Sequence, residues 1–134
     1  MSKANVEIVR AFIAAFNRGD WEGALEYLSP DFELDFSRAV GPVHGVFKRD
    51  QVRAFLDEFF GQWESVRFEI DELIDAGDQV VARFDNTHRG RDGIEVKVRP
   101  SGVWTFRDGS MVRGCVYQEL EEAKAAAGLT DKSD

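Results

Sequence analysis

Few side chains in this sequence are of a type and in a place to do chemistry, and His88 is the first of them. An imidazole has an unperturbed pKa of about 6.5, so it can give or take a proton at neutral pH. His88 closes a short alternating run with Asn86, whose amide can donate to or accept from a substrate carbonyl, as can that of Gln118. Asp35 lies in Phe32-Glu33-Leu34-Asp35-Phe36, where strict alternation points its carboxylate away from the apolar side. A bulge at Asp35-Phe36 would turn it inward, and phenylalanine surroundings would then raise its pKa toward that of a general base. Trp104 offers a flat face to an aromatic or alicyclic ligand. Arg38 and His44, in the loop that follows, could clamp an anionic group. Each also has a plain structural reading: a solvated strand-end histidine, a solvent-facing strand carboxylate, amides satisfied by backbone, a core tryptophan, and solvated loop residues. Cys115 has no identifiable activating base, and small filler at a contact between copies is its expected role.

What is missing narrows the chemistry. One cysteine and two histidines cannot build a four-ligand zinc site or an internal disulfide, so no metal site and a reducing compartment are expected. No Gly-rich phosphate loop, nucleophile elbow or dinucleotide fingerprint occurs, which leaves chemistry without a cofactor. The 134 residues include 17 Lys and Arg against 25 Asp and Glu, a formal charge of −8 that would repel nucleic acid and anionic membranes over most of the surface. No apolar stretch approaches the roughly 20 residues of a membrane span, and Met1–Asn5 lacks the regions of a signal peptide, so a cytoplasmic protein is expected.

The elements that must position these residues are legible from periodicity. Val9, Phe12, Ile13 and Phe16 form one helical stripe, stopped at Gly19. Asp20 can cap a second helix carrying Trp21, Ala24, Leu25 and Leu28, ended by Ser29-Pro30. A short strand follows at 32–36, then a loop over 37–48. Asp50 is placed to cap a third helix with Val52, Phe55, Leu56 and Phe59 on one stripe. After Trp63 the period changes from 3.6 to 2. Four strands fit, turned at Ala76-Gly77-Asp78, Asp92-Gly93 and Asp108-Gly109, and a small helix over 119–127 ends the chain. Helices first and strands second make an α+β domain. Its three N-terminal helices are expected in the concave face of a strongly curved, mainly antiparallel sheet, with residues 1–128 as one domain and 129–134 as a polar tail. On the later strands the even-numbered set is apolar. That phase turns Asn86, His88, Trp104 and Gln118 inward or toward the mouth, and Arg83, Asp85, Arg113, Cys115 and Tyr117 outward. Gly114 then leaves free volume.

The order of elements, the segment Ala15-Phe16-Asn17-Arg18-Gly19-Asp20-Trp21, the run Asn86-Thr87-His88-Arg89-Gly90 and the run from Trp104 to Val112 together resemble the SnoaL-like branch of the nuclear transport factor 2-like superfamily. The resemblance covers about residues 5 to 128. It implies a cone-shaped α+β barrel that holds a small apolar substrate and frequently pairs as a homodimer through its outer sheet face. Cys115, Tyr117, Val103 and Met111 would supply apolar area for that pairing. Members include polyketide cyclases, steroid isomerases, dehydratases and epoxide hydrolases, beside proteins that only bind. The isomerases of the family carry a carboxylate base at the end of the first strand, where this chain has Phe36, with Asp35 one residue earlier. The epoxide hydrolases carry an Arg and an Asp where this chain has Phe84 and Asn86, and a further Asp at the place of Val116. The chain also lacks a residue, usually Gly, around Lys48-Arg49-Asp50.

The leading expectation is therefore cofactor-independent proton transfer on a small apolar carbonyl compound. Asp35 would abstract a proton, His88 would meet the developing enolate oxygen, and Asn86 would assist, with Trp104, Gln118, Arg38 and His44 as substrate contacts. Two alternatives stand beside it: a dimeric binding protein without catalysis, and a purely structural pairing module.

Overall fold

The computed structural model describes residues 3–38 and 45–129, so His44 lies outside the described residues. Helices α1 (Lys3–Arg18) and α2 (Trp21–Leu25) are followed by strands β1 (Leu28–Asp35) and β2 (Val46–Lys48), and then by helix α3 (Arg49–Gly61). Seven strands come next: β3 (Ser65–Arg67), β4 (Ile70–Asp75), β5 (Gln79–Phe84), β6 (Asn86–Arg89), β7 (Glu95–Val98), β8 (Ser101–Arg107) and β9 (Ser110–Tyr117). Helix α4 (Leu120–Ala126) ends the described chain.

The helices obey their local signals with small corrections. Val9, Phe12, Ile13 and Ala15 are the buried face of α1, and Gly19 ends it in the left-handed region at φ 74°. Asp20 caps α2 by accepting from Gly23 N–H at 2.9 Å. That helix stops at Leu25, and Leu28 opens β1 instead of closing α2. In α3 the cap is Lys48, not Asp50: Gln51 Oε1 reaches back to the Lys48 N–H at 2.8 Å, while Asp50 sits within the first turn.

The strands form two arms of one bent surface. A six-stranded sheet runs β2-β1-β9-β8-β5-β4, and a three-stranded one runs β3-β6-β7. β1 and β9 are parallel, and every other neighbouring pair is antiparallel. The arms meet where Asp85 separates β5 from β6 and where Arg99-Pro100 separates β7 from β8, so the single long strand expected after Gly93 is broken at a residue that has no N–H to give. The 37–48 segment, expected to be irregular throughout, ends in β2, which pairs Val46 with Asp35.

One face of the larger sheet and the inner faces of α1, α2 and α3 share a core containing Val9, Phe12, Phe32, Leu56, Val80 and Trp104. The opposite face carries a second, smaller core in which Ala123, Leu120 and Leu129 of the α4 region pack on Val81, Val103, Ile74 and Tyr117. Much of the outer apolar area expected to pair with another copy is thus covered from within the chain. Met111 is corrected outright: it is fully buried in the helix-side core. Between the Thr105–Arg113 and Phe106–Met111 pairs Val112 is an extra residue, and this bulge reverses the phase of β9 before it. Among the described residues, no helix is long and apolar enough to cross a membrane.

Candidate functional site

The concave face brings three of the expected residues onto one side of the sheet. Pairing sets its rows: Val80–Trp104–Gly114, then Ala82–Gly102–Val116, and on the second arm Asn86–Val98 and Val66–His88–Val96. Cross-strand partners share a face, so Trp104, Asn86 and His88 look toward the helices as the even-numbered phase requires.

Trp104 is 5% exposed and meets Phe12 edge-on at 5.5 Å. Its indole lies over two glycines. A Cβ on Gly114 would fall 2.3 Å from Trp104 Cζ3, and one on Gly102 would fall 3.5 Å from Nε1. Gly114 is therefore the seat of the ring and not spare volume. The Trp104 Nε1–H is buried with no partner among the described residues, and so is Asn86 Oδ1, in a residue only 3% exposed. A buried polar atom without a partner costs about 1–3 kcal/mol, so the sheet's helix side carries one donor and one acceptor that the described residues leave unsatisfied.

His88 is buried against an aromatic wall. Its ring meets Trp63 at 4.9 Å and Phe59 at 5.5 Å, both edge-on. The wall continues through Phe55 to Phe36 and Phe47, with ring centroids between 4.9 and 5.8 Å apart along the path. Burial lowers the His88 pKa, which keeps the imidazole neutral at pH 7.

Asp35 is elsewhere. It pairs with Cys115, one residue after the Leu34–Gly114 pair that faces Trp104, and so points to the outer face. There the Arg113 guanidinium donates to Oδ2 and the Ser37 N–H donates to Oδ1 at 2.8 Å. Burial alone would raise the Asp35 pKa, but the Ser37 hydrogen bonds and the Arg113 charge outweigh it and hold the carboxyl below its usual range. The register shift in β1 falls between Leu28 and Glu33, around Pro30, and not at Asp35-Phe36. Asp35 and His88 are therefore not brought together, for the bulge that would turn the carboxylate inward is absent. On the same outer face the Tyr117 hydroxyl is pushed up to about 12 by burial and by Cys115, against the charges of Arg38 and Arg113. Arg38 is thus exposed beside Tyr117, and Gln118 is exposed past the end of β9, so neither joins the concave group. A surface hollow of about 480 Å³ between Phe32 and the start of α3 touches none of the candidate residues.

Two features escaped the sequence reading. The aromatic wall was visible only as a helix stripe, although the density of rings in Phe55, Phe59, Phe60 and Trp63 was the available signal. The Arg113–Asp35 bond had none, because it needs the parallel β1–β9 pairing.

The SnoaL-like domain matches residues 9–114. No curated protein matches the chain. Among solved structures, TerC co-crystallised with polyporic acid is similar at 23% identity, with a TM-score of 0.78, covering 94% of this chain and 99% of that one. An NTF2-like protein of unknown function from Burkholderia pseudomallei is similar at 25% identity, with a TM-score of 0.77 and coverage of 93% and 97%. A protein with a ketosteroid isomerase-like fold from Catenulispora acidiphila, in complex with trimethylamine, is similar at 18% identity, with a TM-score of 0.73 and coverage of 96% and 98%.

Proposed function

Because the chain belongs to the SnoaL-like domain family, we propose that it is a small-molecule pocket protein whose concave face takes an uncharged, largely apolar compound bearing a carbonyl. The observation that carries this reading is the pair of buried, unpartnered atoms, Trp104 Nε1–H and Asn86 Oδ1, on an aromatic-walled face. The tryptophan donates to a ligand oxygen, and the asparagine accepts from a ligand hydroxyl or amide. No inward carboxylate or guanidinium competes among Trp104, Asn86, His88 and their row partners, which favours a neutral ligand. The likeness to TerC, co-crystallised with polyporic acid, supports small-molecule binding on this fold. A catalytic version rests on His88, whose neutral imidazole can accept a proton next to the bound carbonyl. Asp35, tied to Arg113 on the other face, holds β1 to β9 in this reading.

The test is a thermal-shift screen with neutral aromatic and alicyclic ketones, repeated on Trp104→Phe and Asn86→Ala. A ligand that binds the fold raises the melting temperature by mass action. Trp104→Phe deletes the donor and leaves a smaller aromatic ring in place, so it should weaken a hit about tenfold. A screen without hits, or hits indifferent to both substitutions, would overturn the proposal. For the catalytic version, turnover of a hit should fall in His88→Gln while binding persists.

A further inference from the structure

β7 is one free edge of its sheet, and it holds exposed apolar side chains: Ile94 just before it is 63% exposed and Val96 42%. A hollow of about 390 Å³ beside it is lined by Trp63, Gly90, Ile94 and Val96 among others. An exposed strand edge invites pairing unless something blocks it. β7 is short, and Glu95 and Lys97 guard it against indiscriminate pairing as edge charges do, but their opposite signs leave it open to a strand of complementary charge, and no described segment pairs with its outer side.

The pattern Ile94-Glu95-Val96-Lys97-Val98 is complementary to itself. The Gly90 N–H donates to the Ile94 carbonyl at 2.9 Å, and Val96 and Val98 pair with His88 and Asn86 in the same register. The backbone groups of these even-numbered residues therefore turn toward β6, and those of Glu95 and Lys97 turn to the open edge. We propose that β7 is a docking edge for a second copy of this chain, paired antiparallel about a two-fold axis through Val96. Four backbone hydrogen bonds then join each Glu95 to the Lys97 of the other copy. Val96 meets Val96, and Ile94 meets Val98, on the concave side. On the convex side each Glu95 carboxylate faces a Lys97 ammonium. The neighbouring registers are disfavoured, since a shift of two residues sets Glu95 against Glu95 or Lys97 against Lys97. Within one copy Glu95 already meets Arg89 at 2.9 Å and Lys97 meets Thr87 at 2.9 Å, yet their side chains stay 51% and 59% exposed and can reach across. A four-residue edge is small beside a standard interface of roughly 1,600 Å², so the pairing is reversible and concentration-dependent. The proposal is independent of what the concave face binds.

Sedimentation equilibrium on the whole chain, from micromolar to millimolar concentration, tests it. The native chain should show a monomer–dimer equilibrium. Glu95→Lys and Lys97→Glu, each alone, should weaken association about tenfold, because like charges then face each other twice. Their equimolar mixture should regain association as a heterodimer, a result no other face produces. Circular dichroism of each variant confirms folding, and Lys97→Pro, which removes an edge N–H and the side-chain bond to Thr87 but no backbone bond to β6, gives a second route to the monomer. A native chain that stays monomeric throughout, or a dimer that ignores these substitutions, would overturn the proposal.

Discussion

Asp35 and Arg113, 78 residues apart in sequence, are joined by a hydrogen-bonded ion pair across the parallel β1–β9 seam. The Asp35 side chain is 9% exposed and that of Arg113 45%, so the acid is the buried partner and the base covers it from solvent.

This pair sets one pH dependence of stability. The folded-state pKa of Asp35 is lowered, so its contribution is present above the unfolded pKa of about 3.9 and is lost as pH falls through the lower folded value. Asp35→Asn should cost about 1 kcal/mol at pH 7 and flatten the decline below pH 4. Urea denaturation across the acid range checks this; an unchanged acid slope would mean that other carboxylates carry it.

His88 sets a second, with the acid again destabilising. Burial lowers its folded pKa beneath about 6.5, so between those two values the unfolded chain binds more protons and stability rises with pH. NMR titration should place the His88 midpoint below 6.5, and His88→Gln should remove that signal while leaving the one from His44. A midpoint at or above 6.5 would contradict the buried aromatic setting.

Gly114→Ala should destabilise by about 1–3 kcal/mol, since the new methyl collides with the Trp104 ring on one side and crowds Leu34 on the other. Tryptophan fluorescence should shift as the indole is displaced. Full retention of stability would show that the ring moves aside freely.

Ala123 is completely buried where α4 meets Val81 and Val103. Ala123→Asp places an unpaired carboxylate there and should cost about 3 kcal/mol, measurable as a lower denaturation midpoint. A surface-like response would mean that α4 is only loosely attached.

Local rules carried much of this structure. The α1 stripe, the Asp20 cap and the turns at Gly77, Gly93 and Asp108-Gly109 all rest on neighbours within a few residues, and Asp108 and Gly109 both take the positive φ that a tight hairpin turn demands, at 55° and 82°. The even-numbered phase likewise carried Asn86, His88 and Trp104 to the concave side. What escaped depends on contacts distant in sequence. β2 exists because β1 offers it a partner, Met111 turns inward because of one extra residue opposite Thr105 and Phe106, and Asp35 finds Arg113 through a pairing that leaves no local trace. Gly114 shows the sharper limit. An inward glycine reads equally as room for a ligand or as room for a neighbour, and only the position of the Trp104 ring decides between them.

The lodging of α4 and Leu129 on the back of the sheet has a practical side. A linker or surface tether attached at Leu129 starts from the side opposite the rings of Phe36, Phe55, Phe59 and Trp63. Molecules anchored by that end to a sensor chip would turn the ring-lined side toward the flowing solution.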